Sequence, residues 1–161
     1  MTVDSSTPIL VVDDEWMMVE IITSLLKKLT FSDVDFAADA ESALTLMRQK
    51  AYGLVISDLN MGGMGGLKFL KRVRSDPALR NTPFIMTTAS QSIENAVAAK
   101  HAGVDNYLLK PFSLQALGRK VEVVLAKAQA SDGAQRGDEE SQTSATMESI
   151  AAPQRASWHR P

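Results

Sequence analysis

The sequence contains no cysteine. That excludes disulfides, thiolate metal sites and a cysteine nucleophile. No apolar run approaches the length of a membrane span. The polar start, Met1 to Thr7, has neither a basic stretch nor an apolar segment, so no signal peptide is expected. The expectation is a soluble, cytoplasmic protein. An excess of one charge is also missing, since the net charge is −2 over 161 residues. Residues 1–127 hold 14 Lys+Arg and 14 Asp+Glu, and residues 128–161 hold 3 and 5. Nothing here is a basic patch for nucleic acid. The nearest approach, Lys68, Lys71, Arg72 and Arg74, follows helical spacing and reads as a solvated helix face. Glycines crowd residues 62–66, but no Gly-Lys-Ser/Thr follows them, so they do not form a P-loop. There is no internal repeat.

What is present is enough for one domain with a sizeable core: hydrophobic residues make up 45% of the chain. Ile9-Leu10-Val11-Val12 reads as a short buried strand ending in Asp13-Asp14-Glu15. Val19, Ile22, Leu25, Leu26 and Leu29 recur at helical spacing, giving an amphipathic helix from Trp16 to Leu29. Val34 to Ala37 is a weaker strand. Asp39 can cap a helix running to about Lys50. Gly53 to Asn60 carries an apolar run into Asp58. A helix from Leu67 to Arg74, stopped by Asp76-Pro77, buries Leu67, Leu70 and Val73. Phe84 to Thr87 is a fourth strand leading into Thr88. Ser92 to His101 is a helix closed by Gly103. Val104 to Leu109, interrupted by Asp105 and Asn106, is a fifth strand ending at Lys110-Pro111. Ser113 caps a last helix striped by Leu114, Leu117, Val121, Val124 and Leu125.

Strand and helix therefore alternate five times. That pattern implies an α/β doubly wound parallel sheet with helices on both faces. Three segments follow: a lead over 1–8, a folded domain over 9–128, and a disordered tail over 129–161. The tail is rich in Ala, Ser, Gln and charge and lacks the apolar surface needed to offset ordering. Its Trp158 reads as a stray aromatic, with docking to a partner as the alternative.

Ligands of such a sheet bind at the carboxyl ends of the strands. The first strand delivers Asp13 and Asp14 there, the third Asp58, the fourth Thr88 and the fifth Lys110. Taken singly, Asp13-Asp14 is a helix-cap pair, Asp58 a turn residue, Thr88 a strand-end threonine and Lys110 a surface lysine. Their joint placement points to chemistry. Clustered carboxylates repel, and a divalent cation resolves the repulsion. Oxygen ligands without histidine or thiolate favour Mg²⁺ over zinc. An Asp carboxylate can attack phosphorus, with the metal, Lys110 and the Thr88 hydroxyl stabilising the transferred group.

Val11-Val12-Asp13-Asp14, Ile56-Ser57-Asp58-Leu59-Asn60-Met61, Thr88-Ala89 and Tyr107-Leu108-Leu109-Lys110-Pro111-Phe112 resemble the receiver domain of two-component response regulators. Among these the chain is most similar to the single-domain chemotaxis (CheY-like) type, over about Ile9 to Lys127. The resemblance implies a five-stranded, flavodoxin-like receiver fold with strand order 2-1-3-4-5. It implies Asp58 as phosphoryl acceptor from a histidine kinase, and Mg²⁺ held by Asp14 and Asp58 side chains, the Asn60 carbonyl and, through water, Asp13. Lys110 would contact the phosphoryl group, with Thr88 and Tyr107 as the switch pair and a cis bond at Lys110-Pro111. The expected molecule is a monomeric signalling switch, not an enzyme in the ordinary sense, that neither binds nucleic acid nor inserts in a membrane. Its downstream target is a protein such as the flagellar motor switch or another relay protein.

Other functions are a phosphorelay intermediate, a phosphate sink, an aspartate-nucleophile phosphohydrolase, or an unphosphorylated interaction module. The phosphohydrolase reading needs a general acid two residues after Asp58, where Asn60 has no proton to give. The interaction-module reading suits receivers lacking the acidic pair or the lysine, and this chain has both. The chain departs from the family in its loop: family members usually carry Pro at the place of Gly62 and Asp at the place of Gly65. The loop thus lacks one fixed φ and one helix-capping side chain, so a looser loop and a less preorganised metal site are expected. Hydrogen exchange across residues 61–65 should slow in Gly62→Pro, and equal exchange in the two proteins would count against this reading.

Overall fold

The structure, a computed structural model, describes residues 4–142. Within them the chain runs β1 (Ile9–Val12), α1 (Trp16–Lys28), β2 (Val34–Ala37), α2 (Ala40–Gln49), β3 (Leu54–Asp58), α3 (Gly66–Ser75), β4 (Phe84–Thr88), α4 (Ile93–Ala102), β5 (Asn106–Leu109) and α5 (Leu114–Gln142). The strands form one sheet in the order β2-β1-β3-β4-β5, and each neighbouring pair is parallel. The expected doubly wound α/β fold is the observed one.

The three central strands are buried on both faces, which is why they read as unbroken apolar runs. Alternate side chains feed two cores. Leu10, Val12, Val55, Phe84 and Met86 pack with residues of α2 and α3 and with Ala99 of α4 on one face. Ile9, Val11, Leu54, Ile56, Ile85 and Leu108 pack with α1 and α5 on the other. Local chemistry sets the helix ends. Asp39 accepts from Ser42 N at 2.7 Å, Ser92 from Asn95 N at 3.2 Å and Ser113 from Ala116 N at 3.1 Å. Gly103 closes α4 at φ 97°, a conformation that favours glycine.

Three side chains differ from the sequence reading. Phe69, absent from the expected stripe of α3, is fully buried and meets Phe84 edge-on, with centroids 5.4 Å apart. Leu67, expected in the core, is only partly buried. Arg74 is not part of a solvated face. Its guanidinium pairs with Asp105 at 3.0 Å and donates to the carbonyls of Gly103, Arg80 and Thr82 at 2.9, 2.9 and 2.6 Å. Asp105 in turn accepts from the Phe84 backbone N–H at 2.8 Å. The polar residue that broke the expected fifth strand is therefore a strut. It lies just before β5 and bonds the first residue of β4.

The helix ending the folded unit was expected to stop near 128, yet α5 continues to Gln142. Residues 129–142 contain no proline, so a helix already nucleated and packed over residues 114–125 continues into them without a new nucleation cost, despite Gly133 and Gly137. Residues 143–161, Trp158 among them, lie outside the described residues.

Burial lowers the pKa of Arg74, and Asp105 offsets part of that cost. Removing one member of such a pair strands the other. Arg74→Ala should lower unfolding free energy by about 2–4 kcal/mol in urea denaturation. A loss below about 0.5 kcal/mol, typical of a surface position, would return Arg74 to the solvated face.

Candidate functional site

The ladder continues past the ends of the strands and fixes the residues that follow them. Asp13 N donates to the Ala37 carbonyl at 3.1 Å, Leu59 N to Thr87 at 2.8 Å and Lys110 N to Thr88 at 2.7 Å. These bonds set Asp13, Asp58 and Lys110 at one edge of the sheet. Asp13 and Asp58 are buried, Lys110 is mostly covered, and Asp14 is exposed. The Lys110 ammonium lies 2.9 Å from Asp13 Oδ2 and 3.1 Å from Asp58 Oδ1. β5 is separated from β3 by β4, so this side chain spans β4 to reach both acids.

One oxygen from each of Asp13, Asp14 and Asp58 lies within 4.8 Å of the others. Burial raises the pKa of Asp58, and the nearby Asp13 and Asp14 add to this, while Lys110 opposes it. Burial likewise works against the Lys110 charge, but Asp13 and Asp58 outweigh it and its pKa is raised. A single ammonium facing three carboxylates leaves excess negative charge. An all-oxygen donor set with a charge deficit suits a hard divalent cation, so the residues present fit a metal.

The remaining candidates occupy the same end of the sheet. Thr88 is fully buried, and its Oγ1 accepts from Ser90 N at 3.1 Å. Tyr107 is opposite Met86, and Leu109 opposite Thr88, in the β4–β5 register. Thr88 and Tyr107 therefore share one face of adjacent strands. The Tyr107 hydroxyl is buried and, among the described residues, has no hydrogen-bond partner. Asn60 is exposed in the loop two residues after Asp58, and Lys110-Pro111 is cis.

Three contributors escaped the sequence reading. Thr87, directly opposite Asp58 in the register, carries a buried hydroxyl with no partner among the described residues. The Gly62 backbone N–H donates to Asp14 Oδ2 at 3.2 Å. Gly66 opens α3 so close to β3 that a Cβ there would collide with the Asp58 carbonyl oxygen. A glycine at the first position of a helix that follows a buried strand was the available signal for that approach.

The fold and this carboxylate–lysine arrangement define a class. The response regulator receiver domain model matches residues 9–122, and the chain belongs to that family. It is 36% identical over 119 residues to the chemotaxis protein CheY of Pseudomonas aeruginosa, covering 74% of this chain and 96% of that protein. To the chemotaxis protein CheY-3 of Vibrio cholerae it is 35% identical, covering 74% and 92%. Among solved structures, V. cholerae CheY4 superposes with a TM-score of 0.70 at 30% identity, covering 74% of this chain and 98% of that one. NtrX from Brucella abortus gives 0.76 at 27% identity, covering 81% of this chain but 29% of that one. The same module thus also occurs inside a longer protein.

Because Gly66 touches the Asp58 backbone, Gly66→Ala should displace α3 and cost about 1–3 kcal/mol in denaturant unfolding. Gly65→Ala is the comparison. Its Cβ meets only the Leu59 carbonyl at 3.5 Å, so a change below about 1 kcal/mol is expected. Equal stabilities of the two variants would show that the close approach is not rigid.

Proposed function

We propose that this chain is a phosphorylation-driven response regulator in which Asp58 accepts a phosphoryl group from a histidine kinase. The observation that supports this reading best is the carboxylate trio beside Lys110, delivered by the ends of β1, β3 and β5. In the transfer, an Asp58 carboxylate oxygen attacks phosphorus. A P–O bond forms as the P–N bond to the kinase histidine breaks, and the imidazole nitrogen leaves. Mg²⁺ would be held by Asp14, Asp58 and the Asn60 carbonyl, with Asp13 acting through water. When bound, it supplies charge neutralisation at the reacting oxygens.

The chain's own residues do the rest. Lys110 is already within hydrogen-bond reach of the acceptor and meets the negative charge of the incoming group. The Thr88 hydroxyl accepts from Ser90 N, which leaves its proton free for a phosphoryl oxygen. Movement of Thr88 toward that oxygen alters the face it shares with Tyr107. Among the described residues no group hydrogen-bonds the Tyr107 hydroxyl, so no polar contact within the domain pins that side chain in place. Tyr107 and Leu109 line a groove with Ile93, Val97 and Lys100. The surface of α4, β5 and α5 is the one a protein target would read.

The relatives named above, both chemotaxis proteins, favour a chemotaxis role, for which the flagellar motor switch is the target we propose. A relay intermediate or phosphate sink uses the same chemistry. Receiver domains of this family are generally signalling switches and not conventional enzymes, and Asn60 supplies no proton for a phosphohydrolase. Among the described residues no helix is long and apolar enough to cross a membrane.

Acetyl phosphate or a phosphohistidine donor should label the wild-type chain in the presence of Mg²⁺ and leave Asp58→Asn unlabelled. Persistent Mg²⁺-dependent labelling of Asp58→Asn would sink the assignment. Capture of a partner by the beryllofluoride-treated chain and not by the untreated one would identify the target; equal capture by both would count against a phosphorylation-driven switch.

A further inference from the structure

We infer that the Thr87 hydroxyl donates to the Asp58 carboxyl once a phosphoryl group occupies it, and so sets how fast that group is lost. This rests on Asp58 being the acceptor, as under the proposed function. The two threonines that end β4 face opposite sides of the sheet. Met86 packs with residues of α2 and α3, and Ile85 with those of α1 and α5. Thr88 therefore prolongs the first row and Thr87 the second. Val11, Ile56 and Leu108 belong to the second row, and Asp13, Asp58 and Lys110 each follow one of them by two positions. The contacts of Lys110 with both acids agree with that placement. Thr87 is the member of this row on β4, the strand that the Lys110 side chain crosses. It stands directly opposite Asp58, on a strand about 4.8 Å away.

Thr87 is fully buried, and among the described residues its hydroxyl has no partner. Thr88 differs, because its oxygen accepts from Ser90 N. A buried hydroxyl without a partner is a cost that a valine of the same shape would avoid. Its position facing the reacting carboxylate gives it a use. In the resting chain Lys110 holds Asp58 Oδ1 at 3.1 Å. On phosphorylation the ammonium turns to the phosphoryl oxygens, and the carboxyl is left with one carbonyl oxygen and no donor. Thr87 lies opposite with a proton to give. When the group is lost, a water oxygen bonds to phosphorus and the water releases a proton to solvent. The P–O bond to Asp58 breaks, and its electron pair stays on the carboxylate. The acceptor facing Thr87 thus changes from a neutral carbonyl to a carboxylate, to which a hydrogen bond is stronger. The hydroxyl therefore favours bond breaking and shortens the lifetime of the phosphoryl group.

The test compares the full chain with Thr87→Val, which keeps the shape, and Thr87→Ser, which keeps the hydroxyl. Each is labelled with acetyl phosphate and Mg²⁺, the donor is removed, and loss of protein-bound phosphate is followed. Thr87→Val should lose its label roughly five- to ten-fold more slowly than wild type, the worth of one ordinary hydrogen bond, and Thr87→Ser within about two-fold of wild type. Equal or faster loss from Thr87→Val would overturn the inference, as would loss from Thr87→Ser as slow as from Thr87→Val. A wild-type chain that takes no label would instead defeat the acceptor reading. A second measurement uses neither metal nor phosphate. The urea midpoint of Thr87→Val should equal or exceed that of wild type, because the resting hydroxyl has no bond to lose. A lower midpoint would show that the hydroxyl serves the resting fold, and would overturn the inference.

Discussion

The interaction on which the rest depends is the reach of Lys110 across β4 to two buried carboxylates. Asp13 and Asp58 end adjacent strands, where the sheet gives them little water and places them against each other. Two like charges in that position would oppose the β1–β3 pairing that brings them together. A third acid at Asp14 worsens the balance. The ammonium from β5 makes the arrangement tolerable while leaving it short of positive charge. That shortage is what suits the site to a hard divalent cation.

The geometry also separates two kinds of acid. Asp13 and Asp58 are fixed from below by backbone bonds that extend the ladder and from the side by Lys110. Asp14 is fixed from above by the loop alone. One part of the site is thus as rigid as the sheet, and the other is as rigid as a glycine-rich loop. Thr88 and Tyr107 belong to the sheet side. Among the described residues the buried hydroxyls of Thr87 and Tyr107 have no hydrogen-bond partner.

Sequence legibility followed the length scale of the physics. The strands were readable because central parallel strands are apolar throughout, and the caps because Asp39, Ser92 and Ser113 act on backbone three residues away. Once the strand ends were known, Asp13, Asp14, Asp58, Thr88 and Lys110 were readable as a group, because every strand delivers its last residues to one edge. Interactions between distant residues of opposite character were not readable. Arg74 looked like its exposed neighbours Lys71 and Arg72, and nothing in its spacing foretold Asp105, 31 positions on. Phe69 was missed because α3 buries a broader stripe than three residues suggest. The end of α5 was missed because a helix leaving the body of a domain no longer needs an apolar face.

The sheet is clasped at both poles, by Lys110 among carboxylates at one and by Arg74 with Asp105 at the other. The two clasps differ in kind. The far one joins a permanently charged guanidinium to one carboxylate, engages three carbonyls, and bonds the first residue of β4 to the residue that precedes β5. Bonds of this kind oppose a slip of β4 along β5 at their starting ends, and the residue that carries them is an arginine that the sequence presented as an ordinary surface cation.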